Sequence, residues 1–483
     1  MHNLIWFYAA MTPSLDLENQ VYIDRLCRLL EEDLDFHDQD SGYASHNIHS
    51  FPAKFPPQLP RKFIQALTLP GETVLDPMMG SGTTVLEAFL LGRRGIGFDI
   101  DPLAVMLAKA KVSPISHHDA VIWSREIISN ARESFFSQKR VLYNEIDRMW
   151  DEETREFVDY WFSREVQLAL TALVVEINRI NDENLRNFFN VILSSIIITK
   201  SGGVSLALDL AHTRPHRVDR AIDWNGCPLE MDTSKRSERR KLSKKIRSPF
   251  EEFEKKCMQS LKNMSENGLN SDQLSMRCLP NWENARMQPD ISMCNAKSLL
   301  LNDECVDIII TSPPYASHAI DYMRAHKFSL VWLGYAIREL SERRKRYIGG
   351  DALEGHGFES LPGYTSSIID SLARRDPRKS LVLRRYYSEM KAILREMFRV
   401  LKKGRVAIVV VGESKLRGQD VEIDVCLSEI GESLGFFVPR IGVRRLDRNR
   451  RMMPVGNQVD MKSQIQRRMH KEFVIGFYKP PID

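Results

Sequence analysis

The chain lacks the residue patterns of several large protein classes. Its 7 cysteines are scattered and form no Cys-x-x-Cys pair, so neither a zinc site nor a disulfide framework is predicted. No apolar run is long enough to span a membrane. The apolar residues 1–11 have no basic region and no clear cleavage site, so a signal peptide is not predicted. We therefore expect a cytoplasmic protein without a metal ion and without membrane contact.

Length and charge set further bounds. A chain of 483 residues exceeds what one hydrophobic core usually supports, so two or three modules are expected. The net charge of +4 permits nucleic-acid binding without requiring it. Basic residues are concentrated in three clusters, at 235–247, 343–346 and 444–451. A charge run is usually only a solvated face, so these clusters need a second argument before they indicate DNA.

A short strand pattern that ends in two prolines is the most informative feature present. The β-branched run 307–311 predicts a buried strand, and Ser312-Pro313-Pro314-Tyr315 follows at once. Two prolines cannot continue the hydrogen-bond ladder of the strand or start a helix at once, so this loop is rigid and lies at the carboxyl end of the strand. It offers a hydroxyl, a fixed carbonyl and an aromatic ring together. An exocyclic amino group on a flat base needs this set, although an ordinary tight turn would also explain these four residues.

A second motif combines a strand, a glycine turn and a helix. Residues 73–76 predict a strand, Gly80 and Gly82 allow a close backbone approach, and 83–91 predict a helix. A further strand ends at Asp99, about 20 residues on, where a carboxylate can accept hydrogen bonds from two ribose hydroxyls. The dinucleotide pattern Gly-x-Gly-x-x-Gly is absent because Val85 holds its last position, and no P-loop Gly-Lys-Ser/Thr is present.

Together with a proline-rich segment at 49–60, these motifs resemble the amino-group DNA methyltransferases. Residues 312–315 resemble motif IV of that family, Asp-Pro-x-x-Gly-Ser-Gly-Thr-Thr at 76–84 resembles motif I, and Pro-Ala-Lys-Phe-Pro at 52–56 resembles motif X. The resemblance implies S-adenosylmethionine as the cofactor and double-stranded DNA as the partner. Met78 stands where the family usually has phenylalanine, and Asn295 where it more often has aspartate. The implied cofactor-binding residues are Phe55, Asp76, Met78, Gly80, Ser81, Gly82, Thr83, Asp99 and Asn295.

The resemblance also implies the reaction. Ser312 and the Pro313 carbonyl would accept the two N–H groups of the target amine, Pro314 would stiffen the loop and Tyr315 would stack on a flipped base. Ser-Pro-Pro-Tyr is more typical of N4-cytosine enzymes and Asp-Pro-Pro-Tyr of N6-adenine enzymes, so cytosine N4 is favoured and adenine N6 is the alternative. An RNA methyltransferase and an inactive DNA-binding relative remain open. The C5-cytosine chemistry is disfavoured because no Pro-Cys dipeptide occurs.

The predicted fold is an α/β Rossmann-like class I methyltransferase sheet, mostly parallel with one antiparallel late strand, and a large mainly helical insertion. We expect an N-terminal helical extension at 1–40, a catalytic domain at 41–112 and 286–483, and the insertion at 113–285. The insertion is the candidate target-recognition region, and 335–383, expected to be irregular, is a rival. Recognition between motifs I and IV resembles the family's α arrangement, but this insertion precedes the strand before Asn295 rather than following it.

The basic clusters gain weight beside a base-modifying motif. We predict phosphate contacts for Lys244, Lys245, Arg247, Arg344 and Lys345. A restriction-modification or related defence setting is expected, and the sequence leaves open whether a cognate restriction endonuclease or other defence proteins are partners.

Overall fold

A computed structural model describes most of the chain. The described residues are 17–51, 54–199, 201–208, 210, 215–230, 242–266, 288–316, 321–350, 357–446 and 470–481.

Seven strands build the central sheet. They are β1 (Thr73–Asp76), β2 (Arg94–Asp99), β7 (Asp290–Met293), β8 (Val306–Thr311), β9 (Leu401–Gly412), β12 (Ile441–Arg445) and β13 (Lys471–Lys479). Six short strands lie outside it in three pairs: β3 (Ala207–Leu208) with β4 (His216–Arg217), β5 (Arg220–Ile222) with β6 (Ser243–Lys245), and β10 (Lys415–Leu416) with β11 (Gln419–Asp420).

Fifteen α-helices of the described residues surround the sheet. They are α1 (Leu17–Glu31), α2 (Gln58–Leu67), α3 (Thr83–Leu90), α4 (Pro102–Val112), α5 (His117–Ser137), α6 (Lys139–Met149), α7 (Glu152–Trp161), α8 (Arg164–Asn178), α9 (Glu183–Ile197), α10 (Pro249–Glu266), α11 (Tyr322–Leu330), α12 (Ile337–Lys345), α13 (Gly363–Ala373), α14 (Pro377–Val400) and α15 (Ile423–Glu432).

The order of the strands confirms the predicted fold class. The sheet runs β7-β2-β1-β8-β9-β13-β12, and every neighbouring pair is parallel except the two that β13 makes with β9 and β12. The chain therefore forms a Rossmann-like sheet with a single antiparallel strand near its end. The strand order changes direction beside β1, because β2 and β7 lie on one side of it and β8 and β9 on the other. Ligands of open α/β sheets bind at such a point, at the carboxyl ends of the strands.

The central strands form because their residues suit burial on both faces. All six residues of β8 are buried, as are the last seven of β9. The buried residues of these strands are mostly valine, isoleucine and alanine, whose branched or small side chains pack well between two helical layers. Leucines of α1 cover the antiparallel end, where Leu26 approaches Gly476 and Leu30 approaches Gly442. Glycine is required at Gly442, because a Cβ there would lie 2.9 Å from the Leu30 carbonyl oxygen.

The segment between α4 and β7 is mainly helical, with α5 to α10 and the short strands β3 to β6. It follows β2 and α4 and precedes β7, which pairs with β2. Its helices share one buried cluster with α4 and α11, in which Leu103, Phe189, Phe253, Phe328 and Trp332 are members. The segment therefore packs directly on the helical layer of the sheet.

Three element predictions were wrong in their bounds. The sequence predicts helices at 15–40 and at 386–401, but the first helix ends at Glu31 and the second begins at Pro377. Asp376 caps that helix by accepting a hydrogen bond from the Lys379 amide, and a proline is well suited to a first helical position. Residues 335–383 were expected to be irregular, but α12 and α13 lie there.

Among the described residues, no helix has the length and apolar character that crossing a membrane requires.

Candidate active site

The carboxyl ends of β1 and β8 are joined by side-chain hydrogen bonds. Asp76, the last residue of β1, accepts a 2.7 Å hydrogen bond from the Thr311 hydroxyl at the end of β8. The Thr84 hydroxyl donates to the Ile310 carbonyl at 3.2 Å, which fixes α3 to the same strand. Burial raises the pKa of Asp76 to about 6 despite these hydrogen bonds. Motifs I and IV are thus held side by side by short polar contacts, although Asp76 and Thr311 are 235 positions apart in the chain.

The loop between β1 and α3 is built for a close backbone approach. Gly80 and Gly82 have φ values of +48° and +74°, which favour glycine. The Lys111 ammonium, buried in α4, donates to the Ser81 carbonyl at 2.6 Å, and the buried Ser81 and Thr83 hydroxyls lie 3.1 Å apart. The side chains of Ser81 and Thr83 therefore support the loop from inside, and the loop backbone is the part that can meet a ligand.

Gly82→Ala is expected to destabilise the protein by about 2–5 kcal/mol, the sum of left-handed strain and overpacking. A Cβ at this position would lie 2.6 Å from the Ala108 Cβ and 3.0 Å from the Ala108 Cα of α4. Gly418→Ala is the matched control, because Gly418 also has a positive φ, +78°, but no atom lies within 4 Å of its added Cβ. Chemical denaturation measures both free energies of unfolding. Equal losses in the two variants would contradict tight packing of the loop on α4.

Asp99 closes the cofactor side of the loop. Its two carboxylate oxygens accept hydrogen bonds from the Gly80 and Asp101 amides, each at 2.9 Å. Burial first, and then the charge of Asp101, raise the pKa of Asp99 to about 7. A carboxylate at the end of the second strand, touching the glycine loop, is placed where it can accept both hydroxyls of a ribose.

Asp101 and His326 form a buried pair beside this site that the sequence analysis missed. The Asp101 carboxylate lies 2.5 Å from Nδ1 of His326 in α11, and it also caps α4 by accepting from the Leu103 amide at 2.8 Å. Burial alone would raise the pKa of Asp101, but the adjacent imidazole and these hydrogen bonds outweigh it and lower the pKa. The pKa values of Asp99 and Asp101 are therefore shifted in opposite directions although the two residues are two positions apart. No pattern in the sequence links 101 to 326.

Phe51 is the aromatic residue that reaches the glycine loop. A Cβ placed on Gly80 would lie 3.3 Å from the Phe51 ring, and that ring stacks on Tyr322 with centroids 5.7 Å apart. Phe55, the residue predicted from motif X, is instead buried in the cluster beneath the sheet with Phe63 and neighbouring apolar side chains. Both phenylalanines precede a proline in the sequence, so local pattern does not distinguish them. We therefore assign the aromatic contact at the loop to Phe51 rather than Phe55.

A buried network holds the segment before motif X against α3. Glu87, fully buried, accepts hydrogen bonds from Tyr43 at 2.7 Å, His46 at 2.8 Å and Arg61 at 3.1 Å. Burial lowers the pKa of His46 to about 4. The segment that carries Phe51 thus has anchors on both sides of that ring.

Asn295 and Met78 lie at the same edge of the sheet as Asp99. Asn295 is exposed just beyond β7, and the preceding residue, Cys294, donates its amide to the Asp99 carbonyl at 3.1 Å. The Asn295 side-chain oxygen accepts from the Lys297 amide at 3.0 Å, which leaves its NH₂ group to face a ligand. Met78 is partly buried and packs against the cluster around β8 and α14. Both residues follow the carboxyl ends of parallel strands, Met78 after β1 and Asn295 after β7, which is the edge where ligands of such sheets bind.

The motif IV loop begins directly after β8. Pro313 is buried, whereas Ser312, Pro314 and Tyr315 are partly exposed. The Tyr315 hydroxyl donates a 2.8 Å hydrogen bond to Glu472 of β13 and lies within reach of the Ser312 side chain. Burial, followed by the Glu472 charge, raises the pKa of Tyr315, so this hydroxyl stays protonated. The loop therefore directly follows Thr311, which is hydrogen-bonded to Asp76, and its Tyr315 hydroxyl reaches the antiparallel strand β13.

The predicted phosphate-binding residues have different surroundings. Lys244 donates to the Ser205 and Ala207 carbonyls at 2.7 and 3.0 Å, and burial lowers its pKa to about 7, so its position does not suit a phosphate contact. Lys245 is exposed, and Arg247 is half-exposed and pairs with Glu252 at 3.1 Å.

The second basic cluster lies on α12. Arg344 forms an ion pair with the largely buried Asp321. Lys345 pairs with Glu342 at 2.6 Å, and these two side chains are both exposed. Exposed ion pairs of this kind contribute little to stability, about 0–1 kcal/mol, so a phosphate can replace the carboxylate partner. Arg448, Arg450 and Arg451 of the third cluster lie outside the described residues.

The site fits S-adenosylmethionine. Gly80 and Gly82 add no side chains to the loop, Asp99 offers a carboxylate for ribose hydroxyls, and Phe51 with Tyr322 supplies aromatic surface at the loop. The Nε2 of His326 is buried and has no hydrogen-bond partner among the residues that the structure describes.

Comparisons with known proteins agree with this geometry. The sequence model of the N6/N4 DNA methylases matches residues 12–110, which contain motif X, the glycine loop and Asp99. The chain is 24% identical over 441 residues to the Type II methyltransferase M.MvaI of Kocuria varians, covering 86% of this chain and 88% of that protein. It is 23% identical over 431 residues to M.BsoBI of Geobacillus stearothermophilus, covering 82% and 79%. Type II methyltransferase M.AvaI of Anabaena variabilis is 30% identical over 173 residues, 31% of this chain and 36% of that protein.

Proposed function

We propose that this chain, an amino-group DNA methyltransferase that uses S-adenosylmethionine, methylates the exocyclic N4 of a cytosine flipped out of duplex DNA. The observation that carries the proposal is the position of the Ser312–Tyr315 loop. It follows β8 directly, and Asp76 links that strand to the glycine loop through a 2.7 Å hydrogen bond to Thr311. An amine bound at Ser312 would thus lie next to the methyl donor.

The chain's own residues supply positioning and polarisation. The amino nitrogen of cytosine is a poor nucleophile because its lone pair is delocalised into the ring. Two acceptors, the Ser312 hydroxyl oxygen and the Pro313 carbonyl, would draw its N–H groups out of the ring plane and localise that lone pair. When bound, S-adenosylmethionine supplies an electrophilic methyl group on a sulfonium. Holding the two reactants in line is worth a large part of the rate enhancement, and no covalent enzyme intermediate is needed.

The target base must leave the helix before it can react. Its amino group is paired in the duplex, so neither Ser312 nor the Pro313 carbonyl can reach it there. The partly exposed ring of Tyr315 lies in the same loop and offers a surface on which the flipped base would stack. Stacking of this kind is worth about 1–3 kcal/mol per base.

The identity of the product tests the proposal. Unmethylated DNA incubated with the protein and S-adenosylmethionine is expected to contain N4-methylcytosine after hydrolysis and mass spectrometry of its nucleosides. N6-methyladenine as the sole product would overturn the assignment of cytosine. Methylation of RNA but not of DNA would overturn the proposed substrate.

The proposed setting is restriction-modification. The similar proteins of Kocuria varians and Geobacillus stearothermophilus are Type II methyltransferases by name. A methyl group on cytosine N4 lies in the major groove, where it changes the donor pattern that another protein reads. The corresponding partner would be an endonuclease of the same recognition sequence. DNA methylated by this protein should then resist that enzyme, and equal cleavage of methylated and unmethylated DNA would contradict the setting.

The insertion is the proposed target-recognition region, with Lys245 and Arg247 contacting phosphates. Lys245→Gln with Arg247→Gln is expected to weaken DNA binding and to reduce the slope of log affinity against log salt by roughly 0.9 per lost contact. Fluorescence anisotropy over a salt series measures both quantities. Lys403→Gln is the control, because Lys403 is exposed near the start of β9, at the end of the parallel strands opposite to the motif IV loop. An unchanged slope in the double variant would mean that these two side chains are only solvated.

A further inference from the structure

Two charged residues on the antiparallel strands hold the motif IV tyrosine. Glu472 of β13 accepts the 2.8 Å hydrogen bond from the Tyr315 hydroxyl with one oxygen, and its other oxygen lies 2.5 Å from an Arg444 nitrogen of β12. Both side chains are about nine-tenths buried, at 7% exposure for Glu472 and 9% for Arg444. Neither belongs to motif I, IV or X.

The strand register explains why these two residues meet. Arg444 and Glu472 are directly opposite each other in the β12–β13 pair. On its other side Glu472 is opposite Gly412, the last residue of β9, which has no side chain. Directly opposed, oppositely charged residues stabilise an antiparallel pair. The Glu472 carboxylate is thus fixed by its place in the sheet.

A buried ion pair in this place does more than stabilise strands. Removing two charges from water is expensive, and such a pair is often no more stabilising than apolar residues of similar size. One carboxylate oxygen of Glu472 is committed to a side chain of the catalytic loop rather than to a further sheet contact. The arrangement therefore favours a function at that loop over a purely structural one.

We propose that Glu472, held by Arg444, is a positioning residue that sets the orientation of the Tyr315 ring against the flipped base. This inference rests on the proposed function, in which that ring stacks on the base. With its hydroxyl fixed at one end and its backbone fixed by Pro314 at the other, the ring has little freedom to rotate. Positioning of this kind affects the transfer step, since small misplacements of reacting groups are costly in rate.

Tyr315→Phe tests the proposal, because it keeps the ring and removes only the group that Glu472 holds. The rate of methyl transfer in a single turnover is expected to fall roughly tenfold, as for the loss of one hydrogen bond, with unchanged affinities for DNA and cofactor. Glu472→Gln, in protein that keeps Tyr315, retains an acceptor oxygen for the tyrosine hydroxyl and should keep most of the wild-type rate. A wild-type rate for Tyr315→Phe would overturn the proposal.

A double-mutant cycle separates positioning from general weakening of the sheet. Glu472→Ala is combined with Arg444→Ala so that no buried charge is left unpaired. If all three residues act through one contact, adding Tyr315→Phe to the Glu472→Ala, Arg444→Ala variant should cause no further loss of rate. A full additional tenfold loss would contradict the proposed positioning role. Glu304→Gln is the matched control, because Glu304 accepts a 3.0 Å hydrogen bond from Lys479 at the other end of β13. A similar fall in its transfer rate would assign the effect to the strand.

Tyr315→Ala distinguishes failure of this inference from failure of the proposed function. Loss of transfer in Tyr315→Ala with a wild-type rate in Tyr315→Phe leaves the stacking role intact and overturns the role of Glu472. Retained transfer in Tyr315→Ala overturns the stacking role and, with it, the inference.

Discussion

Ser312→Ala is expected to lower the rate of methyl transfer by about 10²–10³-fold, the range found when one preorganised polar contact to a reacting group is removed. The hydroxyl oxygen is one of two acceptors proposed for the target amine, and a methyl group cannot replace it. Affinity for S-adenosylmethionine should stay unchanged, because Ser312 follows β8 whereas the cofactor loop follows β1. Single-turnover kinetics and calorimetry measure the two quantities separately.

Ser428→Ala serves as the control for this substitution. Ser428 lies in α15, where its hydroxyl donates only to the Asp424 carbonyl at 2.8 Å, outside the motif IV loop. Its transfer rate should match that of the wild type. Should Ser312→Ala lose rate and cofactor affinity equally, the loop would have collapsed, and a specific role for the hydroxyl would not be supported. An unchanged rate would remove Ser312 from the mechanism.

Asp99→Asn is expected to weaken S-adenosylmethionine binding by about 10- to 150-fold, corresponding to roughly 1.5–3 kcal/mol for a charge-assisted hydrogen bond. An amide has one acceptor oxygen where the carboxylate has two, and both carboxylate oxygens already accept backbone amides. Asp290→Asn is the control, since Asp290 is an exposed residue at the start of β7. Calorimetry on both variants measures the difference. Unchanged affinity in Asp99→Asn would place the ribose contact elsewhere, with Asp101 the next residue to test.

The raised pKa of Asp99 gives the same contact a pH dependence. Hydroxyl groups of a ribose donate to the ionised carboxylate, and in the ligand-free protein that form predominates only above about pH 7. Cofactor affinity should therefore rise with pH up to about 7 and level off above it, with a slope approaching tenfold per pH unit on the acid side. The Asp99→Asn variant should lack this dependence. If the cofactor affinity of the wild type stayed constant between about pH 5 and about pH 8, the proposed role of the Asp99 carboxylate would be contradicted.

Local pattern was sufficient for the parts of the site that are continuous in sequence. Strand β1, the glycine turn and strand β2 were predicted within their observed bounds. An apolar run, a glycine turn and an acid follow one another there within about 27 residues, the length of one βαβ unit. The motif IV strand was equally clear, since its β-branched residues end at two prolines. These features depend on the backbone preferences of neighbouring residues, which the sequence displays directly.

Contacts between distant segments could not be predicted in this way. Asp101 and His326 are 225 positions apart, as Tyr315 and Glu472 are 157 apart, and no periodicity relates either pair. Phe51 and Phe55 have the same local context but lie on different sides of the structure. Lys244 belongs to a basic run, yet its ammonium group donates to backbone carbonyls inside the insertion. In each case the packing of several elements decides the role of the residue.

Sharing of one hydrophobic core between the insertion and the helical layer of the sheet limits how this protein can be engineered. His49, in the segment before motif X, is 3.0 Å from the Ser194 hydroxyl of α9, which in turn donates to Ser329 of α11 at 2.9 Å. Exchanging residues 113–285 for the corresponding part of a relative would cut through this chain of contacts and through the cluster around Leu103 and Phe328. A chimaera would need matched side chains on α4 and α11 as well. The exposed face of the insertion, the proposed target-recognition region, is therefore more open to point substitution than the insertion is to being transplanted whole.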